Sequence, residues 1–491
     1  MTTDFLIAFG GTGARVVEAL TYLYAAGCQR QSLYVLLIDP DGANGNVSVT
    51  RDQLVKYLDL NAVFDTASAG NGRDGVFFGP DINRQGPSTL FWEYPNRRKP
   101  FKTLLAYDGL PDDQRALADL LYDEEDLSRT FEVGYVGRAH VGSLDLYRTI
   151  RAAIARVAEA QDSADVADLD AIDRFFFQLR AEAQSRRARL LVAGSIFGGT
   201  GASGIPAVPA LVTELLPSVR ERVALGSLLI GPYFSFPPAD EAAPDSALHP
   251  LATRAALYHY GETHVGFDAV YFMGAPNRLG TADHNNPGGT NQRNRPHYVE
   301  LGAATAALHF FQAPEIAAAE EAQVLTSGSR GIPWDGFPGE ASLGLRRRLA
   351  SFTAAMLMHC HFLHEMFESG GQEGWPWYSK VSQGGGTLRG REDELVVLRD
   401  FGLRYLEWFR QVSASAPKIL LNIPERVGEE ALSGLLEEPE RRPHAYHRFH
   451  TELDRAKPAR RPAAMARYLD VLSRASLAFC SIEYPSWKWT P

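Results

Sequence analysis

The sequence predicts an α/β protein: a parallel-sheet domain, then a long apolar core helix, then a mainly helical C-terminal region. Three observations carry this expectation. Twice, at Phe5–Phe9 and at Leu190–Ala193, an apolar run ends on a cluster of glycines and a small hydroxyl that leads into helical spacing, the pattern of a buried strand feeding a helix. Further apolar runs at Leu33–Ile38, Arg222–Ile230 and Phe267–Met273 alternate with helical stretches, which is how βαβ units read. Beyond Gln312, strand-like runs nearly vanish apart from Lys418–Ile423, and helical periodicity takes over.

Size and composition bound the answer. At 491 residues and 54.0 kDa the chain exceeds one ordinary core. The expected boundaries are 1–295 for the sheet domain, 296–320 for the core helix and 321–491 for the helical region. Hydrophobic residues at 45% and charged residues at 22% describe a globular chain. A formal net charge of −10 disfavours a broad nucleic-acid surface. Cys28, Cys360 and Cys480 are too scattered for a disulfide framework or a cysteine zinc site. No basic leader precedes Asp4, and no window reaches the roughly 18 apolar residues of a spanning helix. A cytoplasmic protein without a membrane partner is the expectation.

Taken in order, Phe5–Phe9 is a strand, Gly10-Gly11-Thr12-Gly13-Ala14 a turn, and Arg15–Ala26 a helix with Val16, Val17, Leu20 and Leu23 on its apolar face. Leu33–Ile38 is the second strand and ends on Asp39-Pro40-Asp41-Gly42. The Gly, Asn and Asp-rich excursion Ala67–Gly86 reads as surface loops. Val133–Ser143 is a third glycine-spaced loop before the helical pattern Leu144–Ala158, and Asp162–Arg187 reads as a polar helix. Leu190 begins the central strand, Gly198–Gly204 its loop, and Ala207–Leu216 a helix. After the Pro-rich loop Pro232–Pro250 come a helix at Ala252–Tyr260, a strand to Met273 and an Asn/Gly-rich insertion, Gly280–Arg295. Pro296 then opens the long helix through Phe311, where its missing N–H costs nothing. Leu343–Phe367, Glu392–Ser413 and Met465–Phe479 carry helical periodicity.

The glycine loops point to an anion. Glycine lets the backbone approach a ligand closely, and the unpaired N–H groups of a first helical turn favour negative charge. A polyphosphate site with few Lys or Arg would rely on such amides and on a metal, and two loops at the carboxyl ends of parallel strands would share one crevice. The lysine-bearing P-loop pattern does not occur. Gly11-x-Gly13, with Asp39 closing the next strand, also imitates a dinucleotide fingerprint, although Val16 stands where its third glycine belongs.

Together these loops resemble the nucleotide-binding domain of the tubulin and bacterial FtsZ superfamily of GTPases, over residues 4 to about 311. Gly198-Gly199-Thr200-Gly201-Ala202-Ser203-Gly204 is similar to the family's Gly-Gly-Thr-Gly-Ser-Gly signature with one small residue inserted. The resemblance implies phosphate contacts at Gly198, Gly199, Thr200 and Gly201, at Gly10, Gly11, Thr12 and Gly13, and at Gly137, Arg138 and Ala139. It implies Asp39 and Asp41 beside the γ-phosphate and Mg2+, Asp245 at the ribose, and Asn277 and Tyr298 at the guanine. GTP or GDP would be the ligand, self-assembly into filaments a consequence, and the C-terminal region a surface for protein partners. Departures are Gly302 in place of the companion asparagine, His249 where an acid is usual, and a helical region where the family has a mixed domain. The family's catalytic Asn-x-Asp-x-x-Asp is absent, and Asp335 and Glu340 are the nearest acids in the corresponding loop. Two other readings stand beside a GTPase: a nucleotide-binding scaffold or switch that does not hydrolyse, and a dinucleotide-dependent oxidoreductase.

Three further features have plainer readings. His359, Cys360, His361 and His364 sit among packing residues, so core histidines outweigh a metal site. The basic stretch Arg441–Arg467 also carries Glu452 and Asp454 and reads as a solvated face. Trp487 and Trp489 in the tail are expected to dock on the body.

Overall fold

In the computed structural model, which describes residues 3–29, 31–64, 76–83, 90–160, 170–235, 246–263, 266–275, 279–280, 288–313, 323–326, 337, 344–363, 375–382, 388, 391–415, 432, 435, 444–458 and 463–484, the first apolar run is β1 (Thr3–Phe9) and passes directly into α1 (Gly10–Ala25). Next come β2 (Leu33–Asp39), α2 (Gly45–Asn61) and β3 (Phe91–Glu93). Three short helices, α3 (Phe101–Leu104), α4 (Asp112–Leu121) and α5 (Glu124–Ser128), precede the longer α6 (Ala139–Glu159) and α7 (Ala171–Ser185). The central strand β4 (Ala188–Ser195) feeds α8 (Gly199–Gly204), α9 (Ala207–Leu215) and α10 (Pro217–Arg220), followed by β5 (Val223–Ile230). Then follow β6 (Phe234–Ser235), α11 (His249–Glu262), β7 (Ala269–Met273), β8 (Leu279–Gly280), α12 (Tyr298–Gln312) and β9 (Gln323–Thr326). The rest is helical: α13 (Leu345–Met358) running into a π-helical turn at His359–Leu363, α14 (Pro376–Ser382), α15 (Glu392–Ser415), α16 (Ala445–Arg455) and α17 (Ala464–Glu483).

Seven strands form one sheet in the order β3-β2-β1-β4-β5-β7-β9, and every pairing is parallel. β6 and β8 make a separate two-stranded pair. The α/β expectation with a parallel sheet and a helical C-terminal region therefore holds. β1 and β4 are buried at every residue, as strands covered on both faces must be. Alternation divides their side chains between two cores. Phe5, Ile7, Phe9, Leu190 and Val192 pack with the α6, α7 and α9 side, while Leu6, Ala8, Leu191 and Ala193 pack with α1, α2 and α12.

The second core does not stop at the boundary expected near residue 320. β9 lies beyond it and pairs with β7, and Phe352, Trp377, Tyr405 and Phe479 share one cluster with α1 and α12. On α1, the Tyr22 ring lies 5.4, 5.3 and 4.8 Å from the rings of Phe401, Tyr405 and Trp408. Such pairs each contribute about 0.5–1.5 kcal/mol beyond the area they bury. The C-terminal helices are thus a third layer over the sheet and its α1/α2/α12 cover.

The glycine segments also differ from the expected turns. Gly10 and Gly199 are the first residues of helices, and α6 starts at Ala139, five residues ahead of the apolar pattern. A Cβ at Gly13 would lie 3.0 Å from the Ala193 carbonyl oxygen, and one at Gly201 would lie 2.3 Å from that of Ser195. Only a residue without a side chain lets these helices start flush with the strand ends. The Lys418–Ile423 run and the tail tryptophans lie outside the described residues.

A packing test follows. Gly201→Ala is expected to lower the unfolding free energy by about 1–3 kcal/mol, because backbone has to move. Gly261→Ala in α11, where a Cβ meets nothing within 4 Å, is expected to raise it by about 0.5–1 kcal/mol. Urea denaturation of the two variants reads both signs.

Candidate functional site

The site begins from the sheet order. From β1 the chain adds β2 and β3 on one side, and from β4 it adds β5, β7 and β9 on the other. The gap between β1 and β4 is where the winding reverses, and open parallel sheets bind ligands at the carboxyl ends of such a pair. α1 and α8 both start there. Gly10 has φ +71°, and a Cβ on it would sit 3.3 Å from the Cβ of Thr200 and 3.9 Å from the Gly201 nitrogen. The two glycine segments, far apart in the chain, touch.

Neither helix is capped by a side chain. The residues before them, Phe9 and Gly198, offer no side-chain acceptor to the first-turn amides. Gly10, Gly11, Thr12, Gly198, Gly199 and Thr200 are partly exposed above strands that are wholly buried. Uncapped first-turn amides of this kind are a donor surface that suits an anion.

The third segment closes one flank. A Cβ at Gly199 would lie 2.8 Å from the Tyr135 Cβ and 3.1 Å from the Gly137 nitrogen. Ser203 Oγ donates to the carbonyls of Gly199 at 2.6 Å and Ala139 at 3.0 Å, tying α8 to the start of α6. Gly137 is exposed, at φ +79°. Arg138 is committed elsewhere: its guanidinium meets Asp126 at 2.6 Å and Glu125 at 2.9 Å. A phosphate drawn to Arg138 would compete with those carboxylates.

The other flank holds Asp39 and Asp41, both buried. Asp39 accepts from the Asp41 amide and from Asn44 Nδ2, each at 3.1 Å. Asp41 accepts from the Ala43 amide at 3.0 Å and the Gly289 amide at 2.6 Å. Burial first, then the neighbouring Asp41 charge, pushes the Asp39 carboxyl up to about 8. Mg2+ at such sites is held by one or two carboxylates together with phosphate oxygens and water. Here each of the four carboxylate oxygens already accepts one hydrogen bond, and among the described residues no group of three or more His, Cys, Asp or Glu could hold a metal by itself. In the histidine cluster that follows α13, the two ring nitrogens of His359 meet the Tyr468 hydroxyl at 2.9 Å and the Leu395 carbonyl at 3.2 Å, while the side chains of His361 and His364 lie outside the described residues.

Part of the polar insertion crosses this flank as a strap. Gln292 Oε1 accepts from Asn44 Nδ2 at 2.7 Å, and the Asn46 amide donates to the Gln292 carbonyl at 3.1 Å. Asn44 is also the N-cap of α2, accepting from the amides of Asn46 and Val47.

At the head of α12, His297 and Glu300 form a capping box. Tyr298 is buried, its ring 4.4 Å from that of His297 and its amide donating to Ser415 of α15 at 2.9 Å. Glu300 pairs with Arg15 of α1 and accepts from the Tyr233 hydroxyl at 2.8 Å. The Arg15–Glu300 pair escaped the sequence reading. The signal was there: Glu300 is the one acid in an otherwise apolar helix, and a charge buried in such a helix calls for an opposite charge beside it. Asp245, Asn277, Asp335 and Glu340 lie outside the described residues.

No protein-family model matches the chain, and no curated protein matches its sequence. Among the described residues no helix is long and apolar enough to cross a membrane.

His297 yields a pH prediction. Burial, and then the Arg15 charge, lower its imidazole to about 3. The unfolded chain, at about 6.5, takes up the proton first, so this contribution to stability is complete above that value and is lost as pH falls toward 3. Against the wild type, His297→Asn, which keeps an N-cap acceptor, is expected to show a shallower loss of stability between pH 6.5 and 4 in urea titrations. An unchanged slope excludes His297 as the source.

Proposed function

We propose that this protein is a tubulin-like guanine-nucleotide-binding protein whose phosphates are held at the β1/β4 crevice, and that it acts as a GTPase capable of self-assembly. The observation that carries the reading is the contact between two uncapped, glycine-opened helix starts at the switch point of a parallel sheet. With Arg138 engaged, the phosphates would be met chiefly by backbone amides of Gly10–Gly13 and Gly198–Gly201, with Thr12 and Thr200 hydroxyls beside them. Tyr298 and the segment around Asn277 would stand at the base, Asp245 at the ribose. The C-terminal layer would present the surface for protein partners.

A second reading, a nucleotide-dependent scaffold or switch without hydrolysis, gains support from the acids near the crevice. Asp39, Asp41 and Glu300 are all occupied by protein donors, so none of them is placed to orient an attacking water. The oxidoreductase reading loses ground for the same reason. Its ribose-holding acid would be Asp39, whose two oxygens are taken.

Three measurements test the proposal. Chromatography of ligand released from the purified protein is expected to yield a guanine nucleotide; a nicotinamide or flavin species overturns the reading. Gly11→Ala places a Cβ only against the amide ends of Asn44 and Asn46, at 3.0 and 3.1 Å. It should therefore fold while narrowing the crevice, and GTP affinity by calorimetry is expected to fall at least about tenfold. Phosphate release, lost in Asp335→Ala or Glu340→Ala, together with nucleotide-dependent filaments in electron microscopy, marks the GTPase; binding without either marks the scaffold.

A further inference from the structure

A second cationic site lies where α1, the start of α2, the segment 293–296 and α15 meet. Two cavities of about 300 and 460 Å³ adjoin there, with Arg295, Pro296 and Gln411 lining both. Three of the lining arginines have acids: Arg15 has Glu300, Arg404 meets Glu18 at 3.0 Å, and Arg410 meets Glu407 at 2.9 Å. Arg293 and Arg295 have none. Both are exposed, both line the smaller cavity, and neither guanidinium makes an ion pair or hydrogen bond among the described residues. Arg15, almost wholly buried at the same cavity, keeps its Nη1 without a hydrogen-bond partner. Asn46 adds a neutral amide to the lining.

Two unneutralised guanidinium groups on one small cavity repel each other, and a chain of net charge −10 has carboxylates to spare for pairing them. That they stay unpaired is what a site for an exogenous anion looks like. The guanidinium fork suits phosphate, which offers several acceptor oxygens and more than one charge to groups arriving from different directions.

We propose that this groove binds the phosphate of a small phosphorylated ligand. Arg293 and Arg295 supply the charge and the donors, and the Arg15 guanidinium lies buried behind them. The site does not depend on the nucleotide reading. It does adjoin the first glycine segment, since a Cβ at Gly11 would lie 3.1 Å from Asn46 Nδ2. The phosphate therefore has two sources, a nucleotide held at the crevice or a separate ligand.

The test is calorimetric titration of the full chain with inorganic pyrophosphate and, separately, with GTP. Wild type is compared with Arg293→Ala/Arg295→Ala and with Thr200→Val, which alters the crevice and leaves the groove intact. Both arginines are exposed, and circular dichroism with thermal melting verifies that the double variant folds. Pyrophosphate affinity is expected to drop at least tenfold in the double variant, and any loss in Thr200→Val, which reports on the crevice, is expected to be smaller. Equal affinity in wild type and double variant overturns the proposal, as does a loss confined to Thr200→Val or the absence of pyrophosphate binding to wild type. In the GTP arm, a matching loss in the double variant identifies the nucleotide as the source of the phosphate, and undiminished GTP binding identifies a separate ligand. A wild type that binds pyrophosphate but no GTP removes the nucleotide reading and leaves the groove standing.

Discussion

Close approaches at the ends of β1 and β4 decide where α1 and α8 can start. Side chains at Gly13, Gly201 or Gly204 would drive into the Ala193 carbonyl, the Ser195 carbonyl or the Phe9 ring. Because they are absent, α1 and α8 start at the very ends of β1 and β4, and their first turns meet. This separates two kinds of glycine within one motif. Gly13, Gly201 and Gly204 are buried and steric, and any tightly wound strand-to-helix junction would need them. Gly10, Gly11, Gly198 and Gly199 are partly exposed, and it is their amides that face outward. The steric set builds the crevice that the second set lines.

α1 is the element through which the crevice is joined to the rest. Its first turn belongs to the crevice, Arg15 reaches Glu300 on α12, and Glu18 accepts from Tyr22 on its own helix and pairs with Arg404 on α15. Buried ion pairs add little net stability, since desolvation offsets most of the attraction. Removing one partner costs far more, because it strands the other charge in the interior. Such pairs therefore fix α1 in register against two helices rather than hold the core together, which falls to Tyr22 and its aromatic neighbours. The C-terminal layer is coupled to the crevice by contact, one helix away.

Much of the sheet was legible because parallel strands covered on both faces must be apolar at nearly every position, and those of β1, β2, β4 and β5 are. That the two glycine segments share one crevice was expected from their place at the carboxyl ends of parallel strands, whereas the strand order that makes β1 and β4 neighbours came from the structure. β9 was not legible: Gln323–Thr326 is four residues long and offers too short a run for a period to show. The shared core was missed for a different reason. Periodicity reveals that a helix has an apolar face but not what covers it, so Tyr22 gave no hint of Phe401, Tyr405 and Trp408. The strap over Asp41 and Asn44 was hidden because backbone amides, which any residue supplies, make most of its contacts. Arg138 looked like a phosphate ligand from its place after Gly137. The acids that claim it, on α5, only come near once the chain folds back.

The two anion sites proposed for the crevice and the groove would work by different physics, and that difference would let them coexist. In the crevice the donors are amides fixed by helix geometry; they carry partial charge, cost little to desolvate and do not repel one another. Nothing needs to neutralise them when the crevice is empty, so it can sit among buried strands. The groove uses whole charges on long side chains, which interior placement would make expensive. Arg293 and Arg295 accordingly lie exposed on the strap, where water screens them. An anion held by the crevice would therefore be discriminated by shape, through distances between rigid amides, whereas one drawn to the groove would be discriminated by charge. The segment 288–296 both hydrogen-bonds Asp41 and carries the two arginines, so a ligand at the proposed groove would meet the same short stretch of backbone that fixes the Asp39–Asp41 flank.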